Sequence, residues 1–204
     1  MKVFGIIGSP RKEGNTDTLV SKVMEGVEQK SKNPKIQKEK LYLADFNLQP
    51  CRVCLNCKET GICIIEDDFQ FILQKIKDSD FIIFGSPVYC QTITALSKTL
   101  IERVNSSQTF MTKEGGKKKF KSRAKTSPRR GGVRKGVIIC IGDLSSLNTI
   151  TEASKVMGWL FTDLGIELAD KILARSLSAK GDALRNRALL QRAFNAGLKL
   201  NRLV

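Results

Sequence analysis

The sequence contains no histidine, so the side chain most often used for general acid–base chemistry near neutral pH is missing. It has no apolar run of membrane-spanning length, and its opening residues, MKVFGIIGSPRKEG, become polar too early for a secretory signal peptide. No internal repeat and no linker interrupts the 204 residues, of which 41% are hydrophobic. We therefore expect one domain over residues 1–204, with a sizeable core, in a reducing cytoplasm.

Negative charge is scarce, because 20 acidic residues face 35 Lys and Arg, for a net charge of +15. The excess is concentrated between Lys113 and Lys135, where eleven basic residues accompany a single acid. We interpret residues from about 106 to 134 as a basic insertion in the domain. Nucleic-acid binding would reside there, but only Phe110 and Phe120 could stack on bases, which argues against it. The alternatives are a solvated loop and a docking surface for an acidic protein.

Apolar runs and helical patterns alternate about five times along the chain. The predicted strands are residues 2–8, 36–43, 80–89, 136–142 and 166–174. The predicted helices carry residues 19–27, 67–77, 92–104, 149–164 and 183–202. Since parallel strands need crossover connections, this alternation predicts an α/β three-layer sandwich, with helices on both faces of a five-stranded parallel sheet.

The loop after the first strand, SPRKEGNT, lies where ligands bind in parallel sheets, beyond the carboxyl ends of the strands. Amides at the following helix start, the side chains of Ser9, Asn15 and Thr16, and the guanidinium of Arg11 would together suit a phosphate. The alternative is an ordinary turn whose polar residues only cap the helix. The loop lacks the GxGxxG spacing of dinucleotide-binding folds, and no GxxxxGK[ST] motif is nearby.

Two further strand ends belong to the same edge of the predicted sheet. The segment Ser86-Pro87-Val88-Tyr89 would form a stiff rim with one flat aromatic face, against which a planar heterocycle could lie. The alternative is an ordinary strand end with a surface tyrosine. The loop GDLSSLN, which begins with Gly142 and Asp143, follows the next strand.

These segments resemble the flavodoxin-like NAD(P)H-dependent FMN reductases. The resemblance rests on GSPRKEGNT before a helix, GSPVY at the third strand end, ALSKTLIERV, a strand that ends in GD, and a helix opened by KGDAL. It covers nearly the whole chain except residues from about 106 to 134.

The resemblance implies a flavodoxin-like fold that binds FMN. The implied phosphate contacts are Ser9, Arg11, Asn15 and Thr16. The implied contacts along the ring system are Ser86, Pro87, Val88 and Tyr89, with Gly142 and Asp143 at the other edge of the flavin. The loop GDLSSLN is poorer in glycine than the corresponding loop of such reductases.

Four of the six cysteines lie in the loop at residues 50–63. Disulfides are disfavoured in a reducing cytoplasm, and a zinc site would lack the second CxxC pair or the histidine that usually completes it. The spacing C-x2-C-x2-C-x5-C suits a [4Fe–4S] cluster, and Gly61 permits the tight return to the last cysteine. A loop that packs without metal is the remaining alternative. Cys90 and Cys140 are interpreted as small buried hydrophobic residues.

The segment PCRVCLNCKETGICIIEDDF also resembles the compact cysteine motif of the iron–sulfur flavoprotein branch. This likeness implies that the metal ligands are Cys51, Cys54, Cys57 and Cys63.

The expected function is that of an FMN-dependent oxidoreductase, or electron-transfer flavoprotein, in which a [4Fe–4S] cluster is coupled to FMN. It would reduce a small acceptor such as a quinone, an oxygen species or a flavin, with NAD(P)H or an acidic ferredoxin as donor. The alternatives are an NAD(P)H-dependent FMN or quinone reductase without a cluster, and a nucleic-acid-binding redox regulator that uses the basic insertion. We predict no catalytic residue, since Asp67 and Asp68 open a helix, where capping accounts for them. The resemblance further implies a homo-oligomer, and no membrane partner is expected.

Overall fold

The computed structural model describes residues 1–29, 36–114, 117–122, 133–143 and 146–202. The strands are β1 (Lys2–Ile7), β2 (Gln37–Tyr42), β3 (Phe81–Tyr89), β4 (Thr92–Ile93), β5 (Thr109–Glu114), β6 (Lys117–Ser122), β7 (Lys135–Ile141) and β8 (Glu167–Ala174). The helices are α1 (Asn15–Gln29), α2 (Asn56–Thr60), α3 (Phe69–Asp78), α4 (Ala95–Gln108), α5 (Leu147–Asp163), α6 (Asp182–Arg185) and α7 (Arg187–Arg202). None of the helices in these ranges is long and apolar enough to cross a membrane.

Five parallel strands form the main sheet, in the order β2-β1-β3-β7-β8. Counted as five, these strands run 2-1-3-4-5, which is the order of the flavodoxin-like doubly wound fold. The predicted fold class and the five predicted strands are therefore confirmed. The carboxyl ends of β1, β3 and β7 come together, with Ile7 beside Gly85 and Pro87 beside Ile141.

Two hydrophobic clusters, one on each face of the sheet, make up the core. In β1, Phe4 and Ile6 pack in one cluster, whereas Val3 and Ile7 pack in the other, because successive side chains of a strand point to opposite faces of the sheet. The first cluster takes the apolar faces of α3, α4 and α5. The second takes those of α1 and α7, so the sheet is covered on both sides.

The α1–α7 contact depends on two glycines that let the helix backbones approach closely. A Cβ atom on Gly26 would lie 2.1 Å from the carbonyl oxygen of Phe194. A Cβ atom on Gly197 would lie 2.0 Å from the carbonyl oxygen of Val23. Backbone atoms cannot move aside as the tip of a side chain can, so both positions require glycine.

The predicted helix over residues 92–104 is wrong at its start. Cys90 and Gln91 adopt φ values of 47° and 69°, so the chain reverses tightly after β3, and β4 pairs back on it. The helix begins only at Ala95, where the hydroxyl of Thr94 accepts the amide of Ser97 at 3.3 Å.

The predicted C-terminal helix is interrupted. It divides into α6 and α7 at Asn186, whose side chain accepts the amide of Leu189 at 3.0 Å and so caps the second helix.

The predicted basic insertion is only partly a separate segment. The helix α4 continues through Gln108, and β5 and β6 then form an antiparallel hairpin. Lys135 is the first residue of β7 and is 8% exposed, while the guanidinium of Arg134 donates to the carbonyls of Ile76 and Leu164. Lys135 therefore belongs to the main sheet, and Arg134 lies directly before it. Residues 115–116 and 123–132 of the insertion lie outside the described residues.

Candidate functional site

A cavity of about 470 Å³ opens at the carboxyl ends of the parallel strands. It brings together nine of the ten residues that the sequence assigned to a cofactor, namely Ser9, Arg11, Asn15, Thr16, Pro87, Val88, Tyr89, Gly142 and Asp143. Its other lining residues are Gly14, Cys90, Ile141, Leu177 and Ser178. Leu177 and Ser178 lie in the loop after β8, which the sequence analysis did not assign to the site. This loop could have been found, because ligands bind beyond the carboxyl ends of the parallel strands.

The first wall of the cavity is the turn from β1 into α1. The earliest helical bond runs from the amide of Thr18 to the carbonyl of Gly14 at 3.0 Å, so the preceding amides have no helical acceptor. The hydroxyl of Ser9 accepts the amide of Arg11 at 3.2 Å, which holds the turn closed. Polar groups and the positive end of a helix therefore line this part of the cavity.

Asn15 holds two segments of the chain together. Its side-chain amide donates to the carbonyls of Leu177 and Ala179 at 3.3 and 2.9 Å, and its carbonyl accepts the amide of Ala183 at 3.1 Å. These bonds attach the loop after β8 to the start of α1. The side chain of Asn15 is thus engaged with protein atoms, although the residue lines the cavity.

Hydrogen bonds of Tyr42, the last residue of β2, also hold the same turn. The phenol of Tyr42 donates to the carboxylate of Asp17 at 2.6 Å and accepts the amide of Glu13 at 3.4 Å. Burial and the hydrogen bond to Asp17 raise the pKa of Tyr42 to about 12. The phenol therefore stays protonated at neutral pH and keeps donating to Asp17.

Ser86 is the one predicted cofactor residue that does not line the cavity. It is fully buried, and its hydroxyl accepts from the hydroxyl of Ser97 at 3.2 Å and from the amide of Thr94 at 3.3 Å. Thr94 in turn donates to the carbonyl of Gly8 at 2.7 Å. This network of hydroxyls ties the end of β1 to the end of β3 beneath the cavity.

Another rim of the cavity is mostly apolar. Pro87, Val88 and Tyr89 form it at the end of β3, and Tyr89 is 39% exposed. Cys90 follows in the tight turn and is exposed, so its interpretation as a buried residue is wrong, whereas Cys140 is buried as expected.

The loop after β7 is attached to the loop after β8. The amide of Gly142 donates to Ala174 at 2.8 Å, and the carbonyl of Asp143 accepts the amide of Ser176 at 2.9 Å. The hydroxyl of Ser178 donates to the carboxylate of Asp143. The described part of GDLSSLN therefore forms a further wall of the cavity together with the loop after β8.

The four clustered cysteines line a separate, smaller cavity of about 90 Å³. Cys57 Sγ lies 3.3 Å from the carbonyl oxygen of Ser106, and Cys51 Sγ lies 3.6 Å from the hydroxyl of the same residue. A guanidinium nitrogen of Arg103 lies 3.3 Å from Cys63 Sγ. Among the described residues, no group of three or more Cys, Asp or Glu side chains is arranged to hold a metal ion.

The chain bends sharply to bring these thiols to one place. Val53 and Leu55 adopt φ values of 52° and 64°, and Gly61 ends α2 with a φ of 80°. Burial raises the pKa of the Cys57 thiol, an effect that the charge of Lys58 opposes and the neighbouring thiols reinforce.

Comparison with known proteins agrees with this architecture. Residues 1–136 match the model of a family described as NADPH-dependent FMN reductase. An iron–sulfur flavoprotein of Methanocaldococcus jannaschii is 47% identical over 103 residues, which are 50% of this chain and 51% of that protein. An iron–sulfur flavoprotein of Archaeoglobus fulgidus is 35% identical over 104 residues, or 51% of this chain and 46% of that protein. The matched segments thus span about half the length of these relatives.

Two solved structures share the fold. A flavone reductase superposes with a TM-score of 0.71 at 17% identity, covering 99% of this chain and 62% of the other. The NAD(P)H:quinone oxidoreductase of Methanothermobacter marburgensis superposes with a TM-score of 0.69 at 16% identity, covering 98% of each chain. At such identities the likeness concerns the fold alone. Since the family model matches two thirds of the sequence, the chain belongs to the NADPH-dependent FMN reductase family, as the resemblance to its iron–sulfur flavoprotein branch implied.

Proposed function

We propose that the chain is an FMN-dependent oxidoreductase that takes electrons from NAD(P)H and holds FMN in the 470 Å³ cavity. The observation that carries this proposal is the convergence of nine predicted residues, from three separate strand-end loops, on that one cavity. Its volume lies within the range usual for small-molecule and cofactor sites.

The polar wall of the cavity suits the phosphate of FMN. The amides at the start of α1, the hydroxyl of Ser9 and the guanidinium of Arg11 can donate to an anion, and the positive end of α1 adds to their attraction for it. Gly85 lets this helix approach the sheet, because a Cβ atom there would lie 2.7 Å from the methyl group of Thr16. Asn15 supports the site in a different way, by holding the loop after β8 in place.

The apolar rim suits the ring system. Pro87, Val88 and Tyr89 on one side and Leu177 on the other offer surfaces for a flat heterocycle. FMN supplies the redox chemistry, since a flavin accepts a hydride and can also exchange single electrons. The role of the protein is then to bind, orient and partly shield the flavin, which agrees with the absence of histidine from the sequence.

A [4Fe–4S] cluster bound by Cys51, Cys54, Cys57 and Cys63 is the second part of the proposal. The observation that favours it is that all four thiols line one cavity beside a buried guanidinium, and thiolates are the usual ligands of such clusters. A cluster would let the protein exchange one electron at a time with a partner. The alternatives are a reductase whose cysteine loop binds zinc or no metal.

The proposal also includes the partners of the protein. We propose a small acceptor, such as a quinone, an oxygen species or a flavin, and an acidic ferredoxin that docks on the basic hairpin of β5 and β6. The backbone of β5 contacts α2, so this hairpin lies beside the cysteine loop. A homo-oligomer in a reducing cytoplasm completes the proposal, and the six free cysteines are compatible with that compartment. A regulator that binds nucleic acid through the hairpin is the alternative.

Absorption spectra and iron and sulfide analysis of protein purified without oxygen test both proposed cofactors. We expect flavin absorption bands near about 370 and 450 nm that NAD(P)H bleaches, as for any oxidised flavin that accepts a hydride. Iron and acid-labile sulfide should each be present at about four per chain if the cluster is bound. Flavin without iron would leave a cluster-free reductase, and protein without flavin after incubation with FMN would refute the main proposal.

A further inference from the structure

Arg103, on the buried face of α4, has the largest fully buried side chain in the described structure, and 1% of its surface is exposed. A buried cation is retained in a protein only when partners offset the loss of its hydration. The contacts of Arg103 therefore indicate what its charge is used for.

The guanidinium joins the last cysteine of the loop to the residues that flank the loop on either side. One terminal nitrogen donates to the carboxylate of Asp67 and to the carbonyl of Gln49 at 3.2 Å. The other terminal nitrogen donates to Cys63 Sγ at 3.3 Å. The guanidinium carbon lies 4.2 Å from the ring centroid of Phe69, which completes its enclosure.

The partner carboxylate is equally enclosed. The side chain of Asp67 has no exposed surface, and it accepts the amides of Gln49 at 2.8 Å and Phe69 at 3.1 Å. Burial alone would raise the pKa of Asp67, but these amides and Arg103 together hold that pKa below its ordinary value. The pair therefore remains charged at neutral pH.

A pair that served only to join α4 to the loop would need no contact with a thiol. In this structure one terminal nitrogen is directed at Cys63 Sγ, while the Nε atom, also buried, has no hydrogen-bond partner among the described residues. Hydrogen bonds and positive charge next to the sulfur ligands of a cluster favour its more negative, reduced state.

We propose that Arg103 is the positioning residue of the cysteine cavity: it fixes Cys63 Sγ at the cavity wall and raises the reduction potential of a cluster bound there. The potential part of this inference rests on the proposed cluster, whereas the fixing of the loop does not.

The test uses two substitutions and a matched control. Arg103→Lys keeps a positive charge for Asp67, but its single nitrogen cannot take the place of the two terminal nitrogens that contact Asp67 and Cys63 Sγ. The double change Arg103→Met with Asp67→Asn removes both charges, so that no lone charge stays buried. The control is Lys98→Met, which removes a cation from the same helix at the exposed pair with Glu102.

Two measurements are made on each protein. In cluster-free protein, hydrogen exchange of the amides in residues 49–67 should become about tenfold faster or more in the Arg103 variants, because hydrogen bonds to charged groups are lost. In reconstituted protein, spectroelectrochemical titration should give a lower midpoint potential in the Arg103 variants than in the parent and in Lys98→Met.

Each outcome decides one part of the inference. Parent-like exchange in both Arg103 variants would overturn the positioning role. Faster exchange with an unchanged potential would overturn the effect on the potential. If the parent takes up no iron or sulfide, the cluster part of the proposed function fails together with the effect on the potential, and exchange alone decides the positioning role.

Discussion

Arg11 and Lys12 are adjacent cations with different surroundings. Arg11 lines the large cavity, and its guanidinium donates to the carbonyl of Ser178 at 3.1 Å. Lys12 does not line that cavity and instead pairs with Asp45 at 2.8 Å on the surface. Substituting each residue in turn therefore distinguishes the effect of positive charge near the turn from the effect of a direct contact with the phosphate.

We predict that Arg11→Ala weakens FMN binding by about 1.5–3 kcal/mol, or roughly ten- to a hundredfold, because a charge-assisted bond to the phosphate is lost. Lys12→Ala should change FMN affinity little, since an exposed ion pair contributes only about 0–1 kcal/mol. Flavin fluorescence titration of both variants measures the difference. Equal losses in the two variants would mean that Arg11 acts only through the general charge of the turn.

Individual side chains also show where sequence reasoning stops. The strand-end positions of SPRKEGNT and SPVY indicate a ligand site, and the resemblance assigns their hydroxyl and amide residues to FMN. The structure engages Asn15 and Ser86 with other protein groups, 8% and 0% exposed respectively. Their partners lie in segments far away in sequence, such as Ala179 and Ser97, and residue type alone could not indicate this pairing.

At the scale of elements, the contact between α1 and α7 holds α1, the helix that follows the proposed phosphate site, against the sheet. Gly26 and Gly197 lie where the two helices are closest. Gly158 lies on α5, where a Cβ atom would meet nothing within 4 Å. All three are helical glycines, but only the first two are constrained by packing.

We predict that Gly26→Ala lowers the free energy of unfolding by about 1–3 kcal/mol or more, because the added methyl group forces the helices apart. Gly158→Ala should instead stabilise the protein by about 0.5–1 kcal/mol, since alanine is the better helix former. Urea denaturation followed by circular dichroism measures both. A neutral Gly26→Ala would show that the crossing is looser than described.

The elements that the sequence predicted correctly are those with a strong local pattern. The apolar runs of β1, β3 and β7 and the amphipathic face of α3 identified these elements to within about two residues, and the apolar pattern over residues 19–27 lies within α1. The short β4 was missed because it depends on two left-handed residues, Cys90 and Gln91, which are not glycine and give no turn signal. The hairpin of β5 and β6 was missed because its lysine-rich sequence resembles a loop.

On the scale of the whole molecule, a hairpin with a lysine-rich sequence lies beside the cysteine loop. The hairpin carries Lys117, Lys118, Lys119 and Lys121 in β6, and the backbone of its other strand contacts α2. An acidic electron carrier that approached this hairpin would be brought close to the four thiols. Charges of this kind act mainly on the rate of encounter.

We predict that changing these four lysines to Gln slows electron delivery from a small acidic ferredoxin at low salt, and that added salt removes the difference. Reduction of a small neutral acceptor should not change. The control changes Lys22, Lys38, Lys75 and Lys155 to Gln, which alters net charge equally at other surface ion pairs.

Stopped-flow kinetics at several salt concentrations distinguishes the two sets of variants. Equal slowing in both sets would exclude a docking role for the hairpin. Loss of salt-dependent binding to a random DNA duplex, with unchanged ferredoxin kinetics, would favour the nucleic-acid alternative.

The claim that the protein holds FMN by its phosphate, at the turn between β1 and α1, is tested most directly by comparing FMN with riboflavin. The two flavins share the ring system and differ in the phosphate, so their affinities for the same apoprotein isolate the contribution of that turn. We predict that FMN binds one per chain and at least about a hundredfold more tightly than riboflavin, because several charge-assisted bonds are involved. Equal affinity for the two flavins, or no binding of either, would contradict the account.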